Sequence, residues 1–87
     1  MIFEFDPDKS SMNLQKHGID FEEAQLIWCD LNALEIKAKS ESENRFALIG
    51  VIGEKVWIAF YTYRFEKIRL ISVRRVRDNE KRIYDES

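Results

Sequence analysis

The stretch R-F-A-L-I-G-V-I-G-E-K-V-W-I-A-F-Y-T-Y-R-F-E-K-I-R-L-I-S-V, residues 45–73, decides the fold. It divides into three runs rich in β-branched and aromatic residues: Arg45–Ile52, Val56–Arg64 and Lys67–Val73. Each has the length and composition of a strand. Gly53-Glu54 and Phe65-Glu66 separate them, connections short enough to force antiparallel hairpins. The middle run, V-W-I-A-F-Y, is apolar on both faces, which predicts a central strand.

Outward from this core, Ala33–Ala38 reads as a further strand and Lys39–Asn44 as a polar loop. At the start, Ile2–Phe5 alternates apolar and polar and predicts a short strand. Asp6-Pro7 is a helix start, with Asp as N-cap, Pro at the first helical position and Asp8 in the first turn. That helix should run to about His17, with Gly18 as the left-handed residue that ends it. Asp20-Phe21-Glu22-Glu23 has a capping-box pattern and opens a second helix through about Trp28. Asp78–Tyr84 has helical composition, in a helix expected to start near Arg75. The order is strand, two helices, three or four strands, helix. It predicts an α+β domain over residues 1–87: a small twisted antiparallel sheet of about four strands, two N-terminal helices packed on one face, and a short C-terminal helix.

Bulk composition narrows the function. The chain is 45% hydrophobic and 13% aromatic, which is globular. No apolar run approaches the ~20 residues needed to span a bilayer. The N-terminus is acidic where a secretory signal is basic, and the single Cys29 cannot form an internal disulfide, so the expectation is a cytoplasmic protein. Net charge is −2, but eight of the fourteen basic residues lie between Arg64 and Arg82. Residues 1–43 carry ten acidic and four basic side chains, whereas residues 64–87 carry eight basic and five acidic. Binding to nucleic acid would therefore depend on one face.

One His, one Cys and scattered carboxylates give no metal-ligand spacing, and there is no glycine-rich phosphate loop or serine elbow. The expectation is chemistry without metal or organic cofactor, using Arg, Lys, His17 and Tyr. Arg64 ends the third predicted strand. Strict alternation on the next places Lys67, Arg69, Ile71 and Val73 on one face and Ile68, Leu70, Ser72 and Arg74 on the other. Arg69 and Arg74 then point to opposite faces unless a bulge intervenes. Arginine holds phosphate bidentately and stays charged; the alternative is a solvated strand end with ion pairs to Glu66, Asp78 or Glu80. His17 can act as acid or base near neutrality, or, with Lys16, simply suit the carbonyl end of its helix. Tyr63, beside Arg64, is a candidate for stacking or proton relay, and Tyr84 either packs the last helix or projects toward the site. Cys29 reads as a small buried hydrophobe.

Taken together, F-E-F-D-P-D-K-S-S-M-N-L-Q-K-H-G-I-D-F-E-E-A, then E-N-R-F-A-L-I-G, then Y-T-Y-R-F-E-K-I-R-L-I-S-V-R-R-V and E-K-R-I-Y, resemble the BrnT family of toxins over nearly the whole chain. The resemblance implies a metal-independent endoribonuclease with a RelE-like fold, the toxin half of a type II toxin–antitoxin operon that cleaves RNA and inhibits translation. It implies neutralisation by a BrnA-like ribbon-helix-helix antitoxin, RNA as substrate (including mRNA on the ribosome), and contact with DNA only through the antitoxin. The family's motif positions fall on Lys16, His17, Arg45, Tyr63, Arg64, Arg69, Ser72, Arg74, Arg75, Glu80 and Tyr84. On this reading Arg64, Arg74 and Arg75 stabilise charge at phosphorus as an RNA 2′-OH attacks. His17, Lys16 and Tyr63 are candidates for proton transfer, and Arg45, Arg69, Ser72 and Tyr84 for RNA binding. A rival reading keeps antitoxin binding or RNA binding without cleavage.

Overall fold

The computed structural model describes residues 1–39 and 44–87; the polar loop expected over residues 39–44 lies largely outside the described residues. The chain runs β1 (Ile2–Glu4), α1 (Pro7–His17), α2 (Phe21–Ala24), a 3-10 turn (Gln25–Cys29), β2 (Leu34–Ala38), β3 (Arg45–Ile52), β4 (Lys55–Arg64), β5 (Lys67–Arg75) and α3 (Asp78–Glu86). Local chemistry accounts for the helix ends. Asp6 caps α1, its carboxylate accepting from Asp8 N–H at 2.9 Å, and Gly18 closes it at φ 77°. Asp20 caps α2, accepting from Glu23 N–H at 2.8 Å. The second helix is shorter than its sequence predicts, tightening into the 3-10 turn after one turn of α-helix, and Cys29 at the end of that turn is exposed rather than buried. The last helix starts at Asp78 and not near Arg75, because β5 runs through Arg75. Among the described residues no helix is long and apolar enough to cross a membrane.

The sheet differs from the expectation in two ways. It has five strands in the order β1-β5-β4-β3-β2, and it is mixed, because β1 lies parallel to β5. Hairpin connections specify only neighbours in sequence; they build β3-β4-β5 and leave the outer edge of β5 open. β1 fills part of that edge, in the same direction as β5. Helices α2 and α3 lie on opposite faces of the sheet. The side chains of α2 and the 3-10 turn pack with Trp57, Ala59, Tyr61, Ile68, Leu70 and Val73. Tyr84 of α3 packs instead with Ala47, Ile49, Val56 and Ile58 on the other side.

A bulge decides where the side chains of β5 point. Phe60 pairs with Ser72 but Tyr61 pairs with Leu70, so β5 carries one extra residue at Ile71–Ser72. Val73 therefore joins Ile68 and Leu70 in the core, instead of facing away from them as strict alternation predicts. Arg69, Ser72 and Arg74 pair with Thr62, Phe60 and Ile58, alternate residues of β4 that share one face. The same parity assigns Arg75, opposite Trp57, to the helix-covered face.

Beyond Glu4 the edge of β5 is satisfied by a side chain rather than a strand. The buried Asn13 amide of α1 donates to Val73 C=O at 2.9 Å and to Ile19 C=O at 2.8 Å, and accepts from Val73 N–H at 3.1 Å. One amide thus ties α1 to the sheet just past the bulge and completes the backbone pairing that β1 is too short to provide. Ser10 assists, its hydroxyl accepting from Phe21 N–H at 2.9 Å. Across the sheet, Gly50 lets the 3-10 turn lie directly on β3: a Cβ there would meet Ile27 Cγ2 at 2.8 Å and the Ile27 carbonyl oxygen at 3.2 Å.

Candidate nucleic-acid interface

The face of the sheet opposite α2 carries most of the arginines of the strands; α3 covers one part of it, over Ala47, Ile49, Val56 and Ile58, and the remainder is the open face. By register, β4 contributes Arg64, Thr62 and Phe60 to it, β5 contributes Lys67, Arg69, Ser72 and Arg74, and β3 contributes Arg45. Thr62 is buried between its neighbours, its hydroxyl donating to Asn44 C=O at 2.8 Å. Arg69 pairs with Glu4 at 3.4 Å. Arg74 lies with its guanidinium carbon 5.4 Å from the centre of the Phe60 ring. Both of its terminal nitrogens donate to Glu80, at 2.9 and 2.8 Å.

The proposed arginine trio is not gathered at one point. Arg64 stands at the β4–β5 turn, while Arg74 pairs with Ile58, six residues back along β4; at about 3.3 Å per residue that separates them by ~20 Å. Arg75, on the opposite face, stacks 5.4 Å from the Trp57 ring and donates from Nε to Val56 C=O at 3.1 Å. The structure brings together Arg45, Arg64 and Arg69 at one end of the open face, and Ser72, Phe60 and Arg74 toward its middle.

Lys16 and His17 are brought beside Ser72 by another route. With Lys9, Met12, Asn13 and Ile71 they line a shallow groove of about 180 Å³ between α1 and the bulge. The Asn13 clamp sets this juxtaposition, at the edge of the sheet rather than on its face.

Tyrosines are held elsewhere. Tyr63 projects from the helix-covered side of β4, edge-to-face with Phe46 and Tyr61. The hydroxyls of Tyr61 and Tyr63 both donate to Oε2 of Glu35 on β2, the latter at 2.7 Å. The Glu35 carboxylate, together with partial burial, pushes the Tyr63 phenol above its ordinary value; burial and the same carboxylate push Tyr61 further. Both stay protonated donors. Tyr84 donates to Asp30 Oδ2 at 2.6 Å, the same oxygen that accepts from Val51 N–H at 2.9 Å. That bond to a carboxylate pushes the Tyr84 phenol up to about 12 and pins α3 to the end of β3. Burial alone would raise the Asp30 carboxyl, but its bonds from Tyr84, Val51 and Asn32 outweigh this and hold it below its usual range.

Sequence reasoning missed Phe60, Glu35, Asp30 and Lys9, and gave Glu80 no role beyond a motif position and one possible surface partner of an arginine. Phe60 sits in a run apolar on both faces and carries no signal of its own. Glu80 does carry one: it lies three residues after Arg77, the spacing of a helix N-cap and its reciprocal carboxylate. Its Oε1 accepts from Arg77 N–H at 2.8 Å.

No curated protein matches the chain. A family profile described as "Ribonuclease toxin, BrnT, of type II toxin-antitoxin system" matches residues 5–80. The match takes in the arginines of the open face and the α1–β5 groove, and leaves Tyr84 outside. The chain belongs to the BrnT family of ribonuclease toxins, whose type II toxin–antitoxin systems pair such a toxin with an antitoxin and give it RNA as substrate.

Proposed function

We propose that this protein is a metal-independent endoribonuclease that lays single-stranded RNA along the open face of its sheet. The observation that carries the reading is the bulge in β5, which gathers Arg69, Ser72 and Arg74 on the face that already bears Arg45 and Arg64. Arg45, Arg64 and Arg69 hold the backbone by charge. Phe60 offers a partly exposed ring on which a base can stack. Arg74 stabilises the additional negative charge that develops on a phosphoryl group as the neighbouring 2′-OH attacks. The groove at the sheet edge, with Lys9, Lys16 and His17, takes the strand onward past Ser72.

The same proposal includes a RelE-like relationship of fold, inhibition of translation by cleavage of mRNA in the cytoplasm, and neutralisation by a BrnA-like ribbon-helix-helix antitoxin through which alone the toxin meets operator DNA. Purified protein should cleave RNA in excess EDTA, and its expression without antitoxin should arrest growth. An Arg69→Ala, Arg74→Ala double variant should do neither. Undiminished cleavage by that variant would remove the open face from the reaction.

A further inference from the structure

Arginines stabilise charge but cannot accept a proton, since the guanidinium stays charged at any working pH. The candidates for proton transfer do not sit with Arg74. Tyr63 is on the opposite face and donates to Glu35, and His17 and Lys16 line the edge groove. Tyr84 donates to Asp30. The acceptor that does touch Arg74 is Glu80, in the first turn of α3. Its two oxygens face the two terminal nitrogens of the guanidinium at 2.9 and 2.8 Å, with Phe60 beneath. Both side chains keep access to solvent, at 22% for Arg74 and 15% for Glu80. Oε1 is also anchored by the Arg77 N–H, so the carboxylate is fixed in place by the helix start as well as by the arginine.

We propose that Glu80 is the general base of the cleavage reaction, removing the proton of the attacking 2′-OH while Arg74 binds the phosphate; this rests on the reading of the open face as the RNA site. A phosphodiester that takes one edge of the Arg74 guanidinium brings its adjacent 2′-OH against the Glu80 carboxylate. Glu80 takes the hydroxyl proton and the 2′ oxygen forms a bond to phosphorus. The bond from phosphorus to the 5′ oxygen breaks, its electron pair leaving on that oxygen, which takes a proton from water. The products are a 2′,3′-cyclic phosphate and a 5′-hydroxyl, and Glu80 returns its proton to solvent. In the free protein the bond from Arg74 holds the Glu80 carboxyl below its usual range, against a smaller opposing effect of burial. Phosphate binding to Arg74 relaxes that hold, so Glu80 becomes more basic when the 2′-OH arrives.

The test is Glu80→Gln, which keeps an oxygen for Arg77 N–H and Arg74 but cannot take a proton, with Glu80→Asp as the conservative partner. Single-turnover cleavage of an RNA oligonucleotide is followed against pH, and binding is measured with the 2′-O-methyl form of the same oligonucleotide. Glu80→Gln should slow cleavage by about 10²–10⁴-fold, abolish the acid limb of the pH–rate profile, and leave analogue binding within about twofold. Glu80→Asp should retain the limb at a reduced rate. Wild-type cleavage with an unchanged acid limb in Glu80→Gln would overturn the proposal. So would a loss of analogue binding as large as the loss of rate, which marks a structural role only. If the unaltered protein binds no analogue and cleaves no RNA, it is the reading of the face that fails.

Discussion

The two faces of this sheet use the same residue types for opposite ends. On the helix-covered side, polar groups close the structure: Asn13 completes the edge of β5, and Glu35 collects the hydroxyls of Tyr61 and Tyr63. Arg75 sits over the Trp57 ring, 5.4 Å from its centre, and donates to a backbone carbonyl. On the open side, Arg74, its neighbour in sequence, is partnered by the Glu80 carboxylate, and both side chains keep access to solvent. Adjacent arginines thus have different chemistry because the pleat turns successive side chains to opposite faces. An arginine's neighbours in space, rather than the local density of positive charge, decide whether it is available to a ligand.

The sharpest way to break this contrast is to truncate the two arginines separately. Arg74→Ala should lower RNA cleavage by about 10²–10³-fold, the loss expected when one preorganised donor to a developing charge is removed. Arg75→Ala should change cleavage by no more than about twofold, as for a side chain outside the site. Equal losses in a cleavage assay would erase the distinction between the faces. The covered side should respond in stability instead. Asn13→Leu leaves Val73 N–H and the Val73 and Ile19 carbonyls buried without this partner, and should cost roughly 1–3 kcal/mol, read from the urea midpoint. At low temperature, where the variant remains folded, its affinity for an uncleavable RNA should be close to that of the parent.

Tyr84 tests whether α3 belongs with structure or with the site. Tyr84→Phe deletes the bond to Asp30 and should cost about 1.5 kcal/mol near neutral pH, as for a hydrogen bond to a charged group. The sign with pH follows from the raised phenol. Its contribution is full below the ordinary tyrosine value near 10 and is lost as pH rises through about 12. Asp30 behaves oppositely: its lowered carboxyl stabilises the fold above the ordinary carboxylate range and ceases to do so as pH falls through its folded value. Unfolding followed against pH should show the alkaline decline in the parent and a flatter one in Tyr84→Phe. The smallest effect is electrostatic. Arg69→Ala should reduce the slope of log affinity for single-stranded RNA against log salt by about 0.7, one phosphate contact, while Arg75→Ala leaves the slope unchanged.

The strands and helix starts were legible because they depend on neighbours in sequence. Asp6-Pro7, Gly18 and Asp20 act within one turn of helix, and β3 has the bounds that its composition predicts. The parallel strand β1 was legible as a strand but not in its pairing, since no hairpin connects Ile2–Glu4 to Lys67–Arg69. The bulge left a trace: Ile68 and Leu70 are two apart, but the next core residue, Val73, is three further on. Strict alternation passed over that slip and so misassigned the residues beyond it, Ser72, Val73 and Arg74, relative to Ile68 and Leu70. The Arg74–Glu80 pair spans six residues across a change of element, a separation at which no local periodicity specifies contact.

By itself the sequence determined the α+β class, the helix caps, the three antiparallel strands and the resemblance to BrnT toxins, all carried by short-range patterns and motif spacing. Only the tertiary structure decided which arginines share a face, that Asn13 completes the open edge of β5, and that Arg74 meets Glu80. Those outcomes depend on the register between strands and on where α1 and α3 dock. One extra residue in β5 separates Arg69 from Ser72 and Arg74 or unites them, and the pairing of β5 with β4 determines which.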